Sequence, residues 1–201
     1  MKFAIIPRAD VIKRAGSWLH VHAQPGDRGP SEPSNIRRVG LDGWPEPLPV
    51  GKTSRIAFNV KMDANCIGPH AGDWLNFFEL HAVPAKGEPH PPGPLTLTLE
   101  TSAKDGNPYI RPRTRKWGDA DSKLHTAQLF KPGHDYRIVV THRIGLISWL
   151  FVSIDGVTVA SSLLGFGYGN RPLYAQFRIY CNERPGAMDA WFRVEGYDLP
   201  S

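Results

Sequence analysis

Hydrophobic residues in this chain recur at every second position. Over 55–63 (RIAFNVKMD), Ile56, Phe58, Val60 and Met62 fall on one side and Arg55, Asn59 and Lys61 on the other. Leucine and threonine alternate through 95–100 (LTLTLE). The same period runs through 74–83, 136–144, 148–154, 157–161, 173–181 and 190–198. A period of two marks a strand with one buried and one wet face. Asp155-Gly156 joins two of these segments, and glycine there accepts the positive φ of a two-residue hairpin. The pattern predicts an all-β chain, with at most one short helical turn over 8–15. One-sided strands bury their apolar faces by stacking sheets, so the expected architecture is a two-sheet antiparallel β-sandwich of the jelly-roll type. Three stretches lack the alternation and read as loops: the Pro/Gly-rich segment 24–50, then 84–94 and 103–123.

Composition agrees. The 201 residues include 20 glycines and 19 prolines, which suits many short strands joined by turns. The length fits one sandwich domain spanning 1–201. A net charge of +5 favours an anionic partner. Cys66 and Cys181 stand outside any CxxC pattern and are expected as buried free thiols. The apolar run Phe3 to Ile6 is too short for a signal peptide, and no run is long enough to span a bilayer. No membrane association is expected. A place outside the cell would need another route, such as membership of a virus particle.

Two strands carry candidate chemistry. In 173–181, Ala175, Phe177 and Ile179 form an apolar stripe, opposite Tyr174, Gln176, Arg178 and Tyr180. Two tyrosines, an amide and a guanidinium in one row suit a sugar: ring faces for stacking, donors for hydroxyls. In 74–83 (WLNFFELHAV), alternation sets Glu79 and His81 on one face with Phe77, the acid and imidazole about 7 Å apart along the strand. A carboxylate there can orient the ring. The basic run Arg111, Arg113, Arg115 and Lys116 ends at Trp117 and suits the rim of an acidic-glycan groove. No nucleic-acid motif accompanies it, so nucleic acid is not expected. His20 and His22 form an HxH pair with no third ligand in view, so no metal or other cofactor is expected. Glu195 is the obvious second carboxylate for a hydrolase, but nothing in the sequence brings it to Glu79.

The hairpin VSIDGVTV (152–159) resembles that of concanavalin A-like lectin and glucanase jelly rolls. Within that group, Glu79-Leu80-His81 resembles the Gln-x-His strand of polysaccharide lyases acting on alginate, glucuronan or heparin. Tyr174 to Tyr180 resembles their Y-x-K-x-G-x-Y strand. The resemblance implies an acidic polysaccharide as partner and β-elimination as the reaction. It makes His81 the base, Tyr180 the catalytic tyrosine and Glu79 the occupant of the glutamine position. Arg55 or Asn59, on the preceding strand, would neutralise the uronate, and Tyr174, Gln176 and Arg178 would bind substrate. Three features depart from the pattern: Glu79 replaces Gln, Gln176 and Arg178 replace Lys and Gly, and the arginine-rich strand motif is not recognisable. The alternative expectation is a non-catalytic, lectin-like module, such as a phage decoration or tail protein that contacts other virion proteins.

Overall fold

The computed structural model describes residues 4–6, 12–28, 33–43, 47–85, 93–116, 122–163, 166–167 and 171–196. Among the described residues, fifteen strands build two antiparallel sheets. In chain order they are β1 (Ala4–Ile6), β2 (Ile12–Ala15), β3 (Trp18–Ala23), β4 (Ile36–Asp42), β5 (Thr53–Met62), β6 (Trp74–Ala82), β7 (Leu95–Thr101) and β8 (Pro108–Thr114). They continue as β9 (Lys123–Leu124), β10 (Gln128–Leu129), β11 (Tyr136–Arg143), β12 (Trp149–Ile154), β13 (Val157–Leu163), β14 (Leu173–Asn182) and β15 (Met188–Val194). One sheet runs β1-β4-β14-β6-β7-β8-β10, with β9 paired to β8. It is called the groove sheet below. The other, the back sheet, runs β13-β12-β11-β5-β15-β3-β2. The expected sandwich is therefore present, and no described helix is long and apolar enough to cross a membrane.

The core forms where the two apolar faces meet. Phe177 of β14 stands among Phe58 of β5 at 5.0 Å, Phe78 of β6 at 5.2 Å and Phe192 of β15 at 5.8 Å between ring centroids. Phe58 and Phe192 come from the back sheet, Phe78 and Phe177 from the groove sheet, and all four are fully buried. Burying a phenylalanine side chain contributes about 1.5–3 kcal/mol, so this quartet is a main tie between the sheets. The Asp155-Gly156 hairpin has φ of 49° and 80°, the left-handed pair that a tight right-twisted turn requires.

Two expected loops contain strands. Ile36–Asp42, inside the segment read as irregular, is β4 and pairs along almost all of β14. Its interior positions are Arg37, Val39 and Leu41, and a charged residue at the first breaks the apolar stripe. Arg37 is fully buried at one end of the core. Its guanidinium binds Glu183 and the carbonyls of Gly186 (2.7 Å) and Arg184, joining β4 to the turn after β14. Pro108–Thr114, inside the expected loop 103–123, is β8. Its Ile110, Pro112 and Thr114 are inward, and Pro112, which cannot donate to a ladder, sits where only short strands flank it outward. The expected helical turn over 8–15 is instead strand over its described part, Ile12–Ala15. His90 and Trp117 lie outside the described residues.

Cys66 and Cys181 are both buried and unbridged. Burial pushes their thiols up to about 12 and about 11, which leaves them protonated and unreactive at neutral pH. His142 of β11 is also buried, with no hydrogen-bond partner at either ring nitrogen among the described residues, and burial lowers it from 6.5 to about 4. The unfolded chain therefore binds its proton first as pH falls. Stability is full above pH 6.5 and drains between there and pH 4, by about 3 kcal/mol for this group. His142→Leu should flatten that part of the stability–pH curve, as read by urea unfolding at half-unit steps.

Candidate functional site

The groove sheet carries on its outer face a depression of about 420 Å³. Its floor is made by β6 and β14, which pair directly, with His81 opposite Tyr174 and Glu79 opposite Gln176. β6 does not alternate strictly. Asn76 pairs with Thr98 and Phe78 with Leu97, so Phe77 is an extra residue in the strand. Leu75 and Phe77 face the core before this bulge, and Phe78, Leu80 and Ala82 face it afterwards. Phe77 thus sits on the opposite face from Glu79 and His81, not beside them as strict alternation predicts. The bulge turns Trp74, Asn76, Glu79 and His81 together onto the groove face.

Glu79 is the hub. One of its oxygens accepts from Arg178 and, at 2.5 Å, from His81 Nε2, while the other accepts from Asn76 Nδ2 at 2.8 Å. Asn76 in turn accepts from the Thr98 hydroxyl at 2.9 Å. Burial alone would raise the Glu79 carboxyl. The Arg178 cation and the hydrogen bonds from His81 and Asn76 outweigh it and hold the group below its ordinary 4.5. The carboxylate is therefore ionised but already cancelled by Arg178. Arg178 has room because Gly40 of β4 lies directly opposite. A Cβ at Gly40 would run into the Phe177 carbonyl and the Arg178 side chain.

His81 presents little to a ligand. Its Nε2 is engaged by Glu79, and its Nδ1 is buried without a partner among the described residues. Its ring stacks on Tyr174 at 5.6 Å. Tyr180 lines the same cavity: Arg178 lies 4.4 Å over its ring, and Trp74 stands 5.5 Å away. On the far side of the depression, Arg113 and Arg115 enter from the end of β8. Arg113 is paired with Glu100, whereas Arg115 has no ion-pair partner among the described residues.

The expected sites divide as follows. Glu79, His81, Arg178 and Tyr180 line one cavity. Tyr174 and Gln176 belong to the same strand face but are 3% and 2% exposed. Gln176 donates to Asp42 at 2.9 Å, and burial, with Asp42 nearby, pushes the Tyr174 phenol up to about 12. Of the expected four-residue platform, Arg178 is buried as well, and only Tyr180 is partly exposed. Arg55 and Asn59 are not in the groove at all. Their strand, β5, precedes β6 in sequence but crosses to the back sheet, where Arg55 pairs with Glu195 at 3.6 Å and Asn59 donates to Asp135 at 2.7 Å. Glu195 thus points outward from the sheet opposite Glu79. Sheets stack about 10 Å apart, which excludes the two as a glycosidase pair. Sequence reasoning missed Trp74 and Asn76 on the floor; the Phe77-Phe78 doublet in an alternating strand was their signal. Arg113, expected in a loop, lies on β8, and Arg115 follows the end of that strand.

No family model matches the sequence, and no curated protein matches it. Solved structures do. A glucuronan lyase from the fungus Trichoderma reesei superposes with TM-score 0.62 at 10% identity, covering 96% of this chain and 84% of that one. An alginate lyase from Pseudomonas aeruginosa gives 0.64 at 13%, covering 94% and 86%. A carbohydrate recognition domain in a potassium-bound form gives 0.61 at 10%, covering 98% and 89%. The chain has the concanavalin A-like jelly-roll fold that these proteins share.

Glu79 and Arg178 are 5% and 7% exposed at the side chain, so each is the other's main compensation for lost water. Glu79→Gln should lower the unfolding free energy by about 3–5 kcal/mol, since it leaves a buried cation unpaired. Adding Arg178→Met should recover part of that loss, as a double-mutant cycle in urea would read. The folded carboxyl titrates below 4.5, so its contribution is full above that pH and is lost as pH falls further. The Glu79→Gln chain should lack this acid limb.

Proposed function

We propose that the groove binds an acidic polysaccharide and cleaves it by β-elimination. The observation that carries this reading is the charge balance. Arg178 cancels the groove's own buried carboxylate, so Arg115 and, in part, Arg113 remain to meet an anionic sugar. Trp74 and Tyr180 add ring faces for the pyranose, and Asn76 adds an amide. The structural neighbours named above include lyases for glucuronan and alginate, both acidic polymers, which supports the same chemistry.

In the proposed reaction a base removes the proton on the carbon α to the uronate carboxylate. The electron pair left behind forms a carbon–carbon double bond as the glycosidic C–O bond breaks, and the departing oxygen takes a proton. Arg115 pairs with the uronate and so lowers the cost of charge building on it. Tyr180 is the proton-transfer group with access to the groove. His81, locked to Glu79, orients the floor beneath it.

The second reading, a lectin-like module without turnover, draws on one observation: neither nitrogen of His81 is open to a substrate proton. The two readings separate in one experiment. Alginate, polyglucuronate and glycosaminoglycans are incubated with the protein, and unsaturated ends are followed by ultraviolet absorbance while binding is followed by calorimetry. The expected result is absorbance gain on at least one uronate polymer. Tyr180→Phe should reduce it by about 100-fold or more, and Arg115→Ala should raise KM. Binding without absorbance selects the lectin-like reading, and no binding to any acidic polymer overturns both.

A further inference from the structure

We propose that His20, His22 and Asp189 form a binding site for a divalent transition-metal ion of the zinc class on the back sheet. The sequence offers only the HxH pair. The fold supplies the third donor, because β15 pairs with β3 in a register that sets Asp189 directly opposite His22. His20 and His22 are two residues apart on one strand and project from the same outward face. Their Nε2 and Nδ1 atoms approach the same Asp189 oxygen, at 2.7 and 2.8 Å, and the three donor atoms lie within 4.8 Å of one another.

The donor chemistry is selective. Two imidazoles and one carboxylate suit zinc, copper, nickel or cobalt, whereas calcium and magnesium take oxygen-rich shells. Zinc bonds to nitrogen and oxygen run about 2.0–2.2 Å, so tetrahedral ligands stand about 3.3 Å apart. Opening the two contacts by roughly half an ångström admits an ion between rings that now share protons with the carboxylate. The side chains are 26%, 40% and 19% exposed, which leaves a coordination position facing solvent.

The surroundings hold the ligands in place. The other Asp189 oxygen accepts from Asn65 Nδ2 at 3.2 Å. The second nitrogen of His22 meets Gln24 Nε2 at 3.3 Å. Trp191 stacks on the His20 ring at 4.7 Å with the planes 7° apart, so that ring cannot turn away freely. Such outer contacts orient metal ligands and tune their affinity. A bound ion would clip β3 to β15 and stabilise the folded chain, because the unfolded chain has no assembled site.

The test uses untagged full-length protein, stripped with a chelator. Cobalt is added and followed by visible absorption, and zinc by calorimetry and thermal melting, with magnesium and calcium as controls. The expected results are a cobalt d–d band, zinc binding in the micromolar range, a raised Tm with zinc, and no response to magnesium or calcium. Asp189→Asn and His22→Ala should each weaken zinc binding more than about 10-fold, and His70→Ala, at an exposed histidine in the loop before β6, should not. Absence of both the cobalt band and the zinc-induced Tm shift in the wild-type protein overturns the proposal whatever the variants do. Zinc affinity unchanged in folded His22→Ala protein overturns it as well.

Discussion

One extra residue in β6 decides which face its acid and its imidazole occupy. Without Phe77 as a bulge, the alternation begun at Leu75 would carry Glu79 and His81 into the core beside the phenylalanine quartet. A carboxylate there would lack Arg178 and Asn76 and would cost several kcal/mol to keep charged. The bulge lets Phe77 and Phe78 both reach the interior while the acid and the imidazole turn outward. Packing favours the doublet, and the groove chemistry follows from it.

The features that depart from the lyase pattern are coupled in space. Glu79 stands where the resemblance expects an uncharged glutamine, and Arg178 where it expects glycine. Each departure alone would bury an unpaired charge. Together they form an ion pair that leaves the floor as neutral as an amide would. The neighbouring strand takes part, since only glycine at position 40 leaves room for the Arg178 side chain. Three positions on three adjacent strands thus form one unit, and the departures do not by themselves argue against an anionic ligand. They move the cation from the floor's own lysine position to its arginine and to Arg115 across the groove.

How much of this was legible depended on whether local periodicity carried it. The sandwich, eight of its strands and the Asp155-Gly156 turn followed from alternation alone, because a half-buried strand must repeat every two residues. β4 escaped because Arg37 occupies an interior position, which leaves only Val39 and Leu41 in its apolar stripe. β8 escaped because two prolines and two arginines made Pro108–Thr114 look like a loop. Glu79, His81, Arg178 and Tyr180 were readable because they sit on two strands that happen to pair. Arg55 and Asn59 were misplaced because strands adjacent in sequence need not share a sheet. Asp189 was invisible as a partner of His20 and His22, since strand pairing across more than 160 residues leaves no local trace.

The burial of the histidine bears on how the proposed elimination would divide its labour. A general base must reach the proton it takes, within hydrogen-bond distance or through one water. His81 spends one nitrogen on Glu79 and hides the other, with Tyr174 stacked against its ring. Tyr180 lines the same cavity, with Trp74 5.5 Å from its ring and the Arg178 guanidinium 4.4 Å over it. Contacts with an indole and a cation restrict how far the Tyr180 ring can turn. The same hub that engages His81 keeps Arg178 aligned over Tyr180, so in the proposed elimination the Glu79 network would act by position. In this arrangement loss of His81 would loosen the floor under Tyr180, whereas loss of the Tyr180 hydroxyl would remove the proton carrier itself.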